Sequence, residues 1–263
     1  MHDDLCHSGN KMIIHCVWEH NGNDSLLYSG NVIGAFTRGA SKEEALKKMP
    51  AEIRSFFLWA GERPPTSIET VITQEQATDL CVKDADSEVL FETEKNDLTI
   101  ERYLRLKSLA LKSAEDFLRL YDSFPDRDRS VLPARKTFYG ALPRTASEMY
   151  LHTKNVNAYY WGEIGLDVSN DGTIYDSRLR GFEALEARGD FLSGKVHEGS
   201  YGERWSVPKV LRRFLWHDRI HAKAMYRMGT ETFGKGIIPD IFKMVKLSNQ
   251  AARHVKRSSK LRT

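Results

Sequence analysis

One helical segment constrains this chain more than any other part of the sequence. Residues Val210–Met228 (VLRRFLWHDRIHAKAMYRM) carry apolar side chains at helical spacing, and His217 and His221 stand in the same stripe, four residues apart. Ser206 is a candidate N-cap, and Gly229 is a candidate C-terminal stop. The segment therefore predicts a well-bounded helix with two imidazoles on its inner face.

A histidine pair at this spacing has two interpretations. Residues at i and i+4 project side by side on a helix, so the pair can chelate one metal ion. Histidines are also found hydrogen-bonded in protein cores with no metal present. A third ligand on a neighbouring helix would favour the metal-binding interpretation.

Three further segments are predicted to be helical. A long helix follows a cap at Asp97 or Thr99, a capping box of Thr145 and Glu148 opens the next helix, and a weaker helix is expected from about Ser177 to Leu192. The apolar stripe predicted for the long helix consists of Ile100, Leu104, Leu111, Leu118 and Tyr121. With the histidine-pair helix, these segments have lengths that suit a four-helix bundle.

The helix opened by Thr145 supplies a third histidine. His152 occupies a position that its pattern would otherwise give to an apolar residue, so it is expected to point into the core. Three converging imidazoles leave one position of a tetrahedral ion open, as in catalytic zinc sites. We therefore predict that His152, His217 and His221 bind one divalent metal ion, with zinc foremost and nickel, manganese or iron as alternatives.

Five other side chains are candidates for roles beside this ion. Glu148 and Asp218 could orient an imidazole or move a proton, but a capping box explains Glu148 and a solvated helix flank explains Asp218. Tyr159, Trp161 and Tyr226 could line a pocket, and they are equally ordinary aromatic residues of a bundle. No catalytic residue is assigned from these candidates.

The N-terminal third follows a different hydrophobic period. The strand-like runs are Lys11–Trp18, Ser25–Ser29, Val32–Gly39 and Ser67–Thr73. Ser41 and Glu44 form a capping box that begins a helix between the third and fourth runs. The pattern predicts a small βββ-α-β unit, in which His15 is a strand residue and His20 a turn residue. Neither has a partner at ligand spacing.

The change of period predicts an α+β protein of two domains. We place an α/β unit at residues 1–75, an acidic linker at 76–96, a helical bundle with a C-terminal packing segment at 97–242, and a basic tail at 243–263. The bundle is expected to fold independently of the α/β unit. The tail, which contains His254, is expected to be disordered and solubilising.

Composition excludes several classes of protein. The chain of 263 residues is 41% hydrophobic, which is enough for a sizeable core, and its net charge of +3 does not argue for nucleic acid. No run approaches the roughly 18 apolar residues of a membrane span. Cys6, Cys16 and Cys81 lack CxxC spacing, and no role is assigned to these thiols; a metal site at Cys6 and His7 is disfavoured near a terminus. We expect a cytoplasmic protein.

Two parts of the chain resemble known families. The segments EMYLHTKNVNAYYWG and WSVPKVLRRFLWHDRIHAKAMYRM, within residues 97–228, resemble the DinB-like superfamily of metal-binding four-helix bundles in the order and spacing of their three histidines. The resemblance implies a divalent metal ion and, in some members, transfer or isomerisation that uses a low-molecular-weight thiol. The run GAFTRGASKEEALKKM resembles the HicB-like fold, which implies an antitoxin-type or RNA-associated module.

Two functions of different classes follow. In the first, the chain is a metal-dependent enzyme, a thiol-dependent transferase or isomerase or a hydrolase, acting on a small molecule. In the second, it is a non-catalytic regulatory protein whose HicB-like module contacts RNA or a protein partner, and any metal only braces the bundle. No membrane partner is expected, nucleic acid is disfavoured overall, and a homodimer is compatible with either function.

Overall fold

The computed structural model describes residues 11–137 and 140–244. In this part of the chain an N-terminal sheet of four strands contains one α-helix between its last two strands. Four more α-helices and two small two-stranded sheets follow it. The predicted α+β class with a small N-terminal sheet is therefore confirmed. Cys6, His7 and the basic tail from residue 245 onward, including His254, lie outside the described residues.

The sheet has the strand order β3-β2-β1-β4. β1 (Lys11–His20) pairs antiparallel with β2 (Ser25–Ser29) and parallel with β4 (Ser67–Ala77), while β3 (Phe36–Gly39) pairs antiparallel with β2. α1 (Lys42–Trp59) connects β3 to β4 and packs on one face of the sheet. This crossover is the connection that a parallel strand pair requires.

Four helices follow the sheet and pack against one another. They are α2 (Ile100–Asp122), α3 (Ala146–Gly162), α4 (Ile174–Ala187) and α5 (Val207–Phe233). α2 contacts the other three, and α3 contacts α4 and α5. The hairpins are β5 (Lys136–Thr137) with β6 (Gly140–Ala141) before α3, and β7 (His197–Glu198) with β8 (Arg204–Trp205) before α5.

Most helix starts lie where the sequence predicts them. In α2, α3 and α5 the hydroxyl group of the N-cap accepts a hydrogen bond from the backbone N–H three residues later. These caps are Thr99, Thr145 and Ser206. The prediction for α4 was wrong at both ends: a capping box of Thr173 and Asp176 begins the helix before Ser177, and the helix ends at Ala187, before Leu192.

α5 is longer than predicted, because Gly229 does not end it. The helix continues to Phe233, and the cap is Gly234 with a φ of 97°. A Cβ atom at residue 229 would lie 2.7 Å from Cγ1 of Ile238 and 2.8 Å from the ring of Phe124. Gly229 therefore allows Ile238 and Phe124 to pack closely against α5, and its own backbone remains helical.

The buried face of α2 also differs from the predicted stripe. Ile100 is 42% exposed and Leu104 is 54% exposed. The side chains that are buried include Tyr103, Leu106, Ala110, Ala114 and Phe117. Because α4 and α5 both pack on α2, the buried surface is wide, and the sequence carries apolar residues on more than one flank.

The second face of the sheet is covered by the acidic segment and by α5. Val89 and Phe91 are buried, and the rings of Phe91 and Trp216 lie 5.5 and 5.8 Å from Tyr28 of β2. The segment predicted as a linker therefore packs between the sheet and a helix. Its apolar VLF run provides the contact.

Buried polar contacts connect the same segment to α5. Arg212 Nε donates to Glu94 Oε1 at 2.5 Å, and Lys209 Nζ donates to the carbonyl oxygen of Glu88 at 2.8 Å. One continuous core also includes residues from the sheet, α1 and the four later helices. Independent folding of residues 97–242 stays a prediction, and an isolated bundle would expose this interface to water.

A close approach between α3 and α4 gives a test of the packing. A Cβ atom on Gly181 would lie 1.9 Å from Nε1 of Trp161, which is fully buried. We expect Gly181→Ala to lower the free energy of unfolding by about 1–3 kcal/mol, as overpacking does, measured by urea denaturation. Gly162→Ala is the matched control, because no atom lies within 4 Å of its added Cβ. Equal stability of the two variants would contradict this packing.

Candidate metal centre

The structure brings the three predicted histidines together in the groove between α3 and α5. His217 and His221 lie one turn apart on α5, with ring centroids separated by 4.4 Å. The ring of His152 on α3 lies 5.2 Å from that of His217 and 4.6 Å from that of His221. One nitrogen atom from each ring can be chosen so that all three lie within 4.8 Å of one another.

The cluster opens to solvent on one side. His217 is 8% exposed, His221 is intermediate and His152 is exposed. The expectation that His152 points into the core was wrong, because the residue is exposed while its ring lies against those of His217 and His221. A small molecule can therefore approach the cluster from the side of His152.

None of the three imidazoles has a hydrogen-bond partner among the described residues, and Nδ1 of His217 is buried and unpaired. Leaving such a nitrogen unsatisfied away from water is costly. Three nitrogen atoms bound to one tetrahedral zinc ion would lie about 3.4 Å apart, given bonds of about 2.0–2.1 Å. Small side-chain rotations would close the cluster to that spacing, so the residues fit a divalent ion.

The surroundings keep the imidazoles neutral. Burial, with His152 and Arg38 nearby, lowers the pKa of His221 to about 3. Burial and the neighbouring histidines lower the pKa of His217 well below its usual value. Packing around the ring also lowers the pKa of His152, although the residue as a whole is exposed. Neutral imidazoles have free lone pairs at pH 7, which is the form that binds metal ions.

Glu148 is a structural residue. Its Oε2 accepts hydrogen bonds from the backbone N–H groups of Arg144 and Thr145, at 2.6 and 3.1 Å, and so completes the capping box of α3. These bonds hold the pKa of the Glu148 carboxyl below its usual value. The capping interpretation from the sequence is confirmed.

Asp218 is neither a solvated flank nor a partner of a histidine. It is fully buried, and its two oxygen atoms accept hydrogen bonds from Arg178 of α4, at 2.5 and 3.0 Å. Arg178 also donates to the carbonyl oxygen of Ala110 in α2 and to Oδ1 of Asn157 in α3, each at 3.0 Å. Both interpretations from the sequence were wrong, because residues on all four helices meet at this point.

The aromatic candidates divide between core and surface. Trp161 is fully buried, Tyr226 is partly buried and Tyr159 is 39% exposed. An aromatic residue that sequence reasoning missed lies closer to the cluster: the ring of Tyr160 meets that of His217 edge-on, at 5.9 Å. Tyr160 is adjacent to Tyr159 in the sequence, and the helical pattern alone does not show which of the two faces His217.

The other described histidines lie outside the cluster. His20 stacks on Trp18 at 4.0 Å and contacts Glu75 at 3.2 Å, His15 is an exposed strand residue, and His197 lies in β7. Of the two described cysteines, Cys16 is buried and Cys81 is exposed. Within the described residues, the group that could hold a metal ion is the one formed by the three predicted histidines.

Comparisons of the chain with protein-family models, with curated proteins and with solved structures found no match. Over the described ranges, no helix combines the length and the apolar character needed to cross a membrane.

Proposed function

We propose that this chain is a metal-dependent enzyme of DinB-like type, in which His152, His217 and His221 hold one divalent ion, foremost zinc, beside a small-molecule site. The observation that supports this most directly is the convergence of three neutral imidazoles that have no hydrogen-bond partner in the described chain. Hydrogen-bonded core histidines would each have an acceptor or donor nearby. The neighbours of each of these three imidazoles include the other two.

The geometry of the groove supports a catalytic role over a bracing one. A structural zinc site has four protein ligands, whereas a catalytic site has three and an open position. Here no carboxylate or thiol of the described residues joins the three imidazoles. The exposed edge at His152 leaves the fourth position on the solvent side.

A divalent ion held in this way would lower the pKa of a water molecule or of a substrate thiol at the open position. The histidines would orient that group toward the groove. Tyr160 and His217 are buried, so they would exclude water from the inner side of the site. Low-molecular-weight thiols are the proposed co-substrates, and the reaction is of transferase, isomerase or hydrolase type.

Cobalt titration of the full-length protein tests this function. Co²⁺ takes the same nitrogen ligands as zinc and reports its coordination number by visible absorption. We expect one equivalent to bind with a four-coordinate spectrum, and we expect that spectrum to change when a small thiol is added. A protein that binds no cobalt, or one whose spectrum is unchanged by any added ligand, would favour the regulatory function, in which the HicB-like module contacts RNA or a protein.

A further inference from the structure

A cavity lies where the N-terminal sheet meets the start of α2. Its volume is about 400 Å³, and pockets for small molecules measure roughly 300–1,000 Å³. Its walls come from β1, β4, the turn after β2, the acidic segment and the first turn of α2. None of the described residues that line it belongs to α3 or α5, so the cavity is separate from the candidate metal centre.

A β-bulge shapes the base of the cavity. Cys16 of β1 is opposite Ile72 of β4. The next residue of β1, Val17, is opposite Gln74, so Thr73 is the extra residue of β4. Opposite residues share a face of the sheet, and Val17 and Gln74 therefore both face the cavity. Val17 is buried, which makes the base of the cavity apolar.

The amide side chains on the walls already have partners. Nε2 of Gln74 donates to the carbonyl oxygen of Leu90 at 3.0 Å, and its Oε1 accepts from the backbone N–H of Glu92 at 2.9 Å. The amide group of Asn31, in the turn after β2, is bound to the backbone of β1 through both its nitrogen and its oxygen atom. These bonds hold the acidic segment and the turn against the sheet, so they define the walls of the cavity.

The carboxylate in the lining is neutralised. Nζ of Lys95 donates to both oxygen atoms of Glu92, at 2.6 and 2.7 Å. Beside the cavity, on the same face of the sheet, Lys11 pairs with Glu69 at 2.8 Å. Both carboxylates therefore have cationic partners that do not belong to the cavity lining.

Three side chains in the lining have no hydrogen bond or ion pair to any residue in the described ranges. They are His15, Thr93 and Arg102. Arg102 is partly buried, and it carries five N–H donors and a permanent positive charge. One ring nitrogen of His15 donates in either neutral tautomer, and the hydroxyl group of Thr93 both donates and accepts. The cavity therefore offers an unpaired cation and further donors above an apolar base.

Beside His15, the cavity continues as an apolar surface. Val71 is opposite His15 in the pairing of β1 with β4, and Ile13 is two residues before His15, so the three side chains share a face. Ile13 is 45% exposed and Val71 is 42% exposed. This surface suits a ligand that has an apolar part next to its polar group.

We propose that the cavity binds a small organic anion, whose carboxylate or phosphate group contacts Arg102 and His15 and whose apolar part covers Val17. The planar fork of arginine matches both anions with two parallel hydrogen bonds. Glu92 is paired with Lys95, so the lining has no free carboxylate to repel the anion. This ligand is a second one, and its site does not depend on the proposed metal-dependent function.

The experiment is an NMR titration of the full-length, ¹⁵N-labelled protein, in which the chemical shifts of assigned amides report binding. Three probes share an aromatic ring: benzoate carries a carboxylate, phenyl phosphate carries a phosphate, and benzyl alcohol is uncharged. Each is titrated into the wild type, Arg102→Met, His15→Leu and Arg105→Met. Arg105 is the matched control, because it lies one turn later on α2 and pairs with Glu62 at 2.6 Å.

We expect at least one anionic probe to bind the wild type about tenfold more tightly than benzyl alcohol, which is the scale of one charge-assisted hydrogen bond. The preference should disappear in Arg102→Met, weaken in His15→Leu and persist in Arg105→Met. The largest shifts should fall on residues that line the cavity. The tighter anion identifies carboxylate or phosphate as the source, and equal binding of both also supports the site.

Three results would overturn the inference. The first is a wild type without a preference for anions, and the second is a preference that survives unchanged in Arg102→Met or in His15→Leu. The third is a set of shifts confined to α3 and α5, which would place the anion at the histidine cluster instead. The cobalt titration tests the metal-dependent function separately, so failure of one proposal leaves the other standing.

Discussion

Replacing His217 with alanine is expected to weaken zinc binding by more than about 100-fold, since loss of an outer-shell partner alone costs about 10- to 100-fold. His217 is the most buried of the three histidines, and it lies next to both of the others. Without it, His152 and His221 offer two ligands on different helices. Metal content after dialysis, measured by inductively coupled plasma mass spectrometry, gives the stoichiometry.

A buried residue can affect folding as well as binding, so His152→Ala provides the second variant. His152 is exposed, and its loss leaves no cavity in the core. We expect the same loss of metal with unchanged helical circular dichroism. His197→Ala is the control, because His197 lies in β7 outside the cluster, and it should keep one equivalent of metal. A full equivalent of metal in both His152→Ala and His217→Ala would falsify the three-histidine site.

Replacing Arg178 with methionine is expected to lower the free energy of unfolding by about 3–5 kcal/mol, because it leaves a buried carboxylate without its partner. Both side chains of the Arg178–Asp218 pair are fully buried. The same guanidinium also holds a backbone carbonyl of α2 and Asn157 of α3. Urea denaturation at pH 7 measures the effect.

Removing both charges separates the cost of the unpaired carboxylate from the loss of packing. Arg178→Met combined with Asp218→Leu is expected to recover much of the stability lost in Arg178→Met, because buried ion pairs are often replaceable by apolar residues of similar volume. Arg127→Met removes a surface ion pair with Asp122 and should cost no more than about 1 kcal/mol. An Arg178→Met protein as stable as Arg127→Met would show that the pair does not hold the helices together.

This ion pair lies close in the chain to the histidine cluster. Asp218 follows His217 on α5, and Asn157 is five residues after His152 on α3. The pair joins α4 to α5, and the hydrogen bond from Arg178 to Asn157 adds α3, so it connects the helices that carry the histidines. Sequence patterns indicated Asp218 as a helper of the histidines or as a solvated helix flank, and neither pattern could reveal its partner, which is 40 residues away in the chain.

The acidic segment shows the same limit of sequence reasoning. Its charged residues suggested a solvated linker, yet Val89, Phe91 and Glu94 are buried. Glu94 is accommodated because Arg212 of α5 lies beside it. From sequence alone, an acidic residue without a visible partner is predicted to be exposed to water. The partner of Glu94 is 118 residues away in the chain, so no local pattern reveals it.

Local features were determined by the sequence alone. Ser206, Thr145 and Thr99 begin their helices because each cap and the N–H that it binds are only three residues apart, so no distant contact is needed. The spacing of His217 and His221 likewise makes them neighbours on any α-helix. Apolar residues alternate in the N-terminal strands and recur at helical spacing after them, and this difference was enough to predict a small sheet followed by helices.

The tertiary structure decided which faces these elements bury. α5 packs against α2, α3, the acidic segment and the sheet, so Lys209, Arg212 and Asp218 are buried where an amphipathic pattern places charges in water. The same packing leaves His152 exposed and brings its ring against those of His217 and His221. Helix starts depend on bonds within one turn, whereas burial depends on contacts between residues far apart in the chain, which a pattern on one element does not contain.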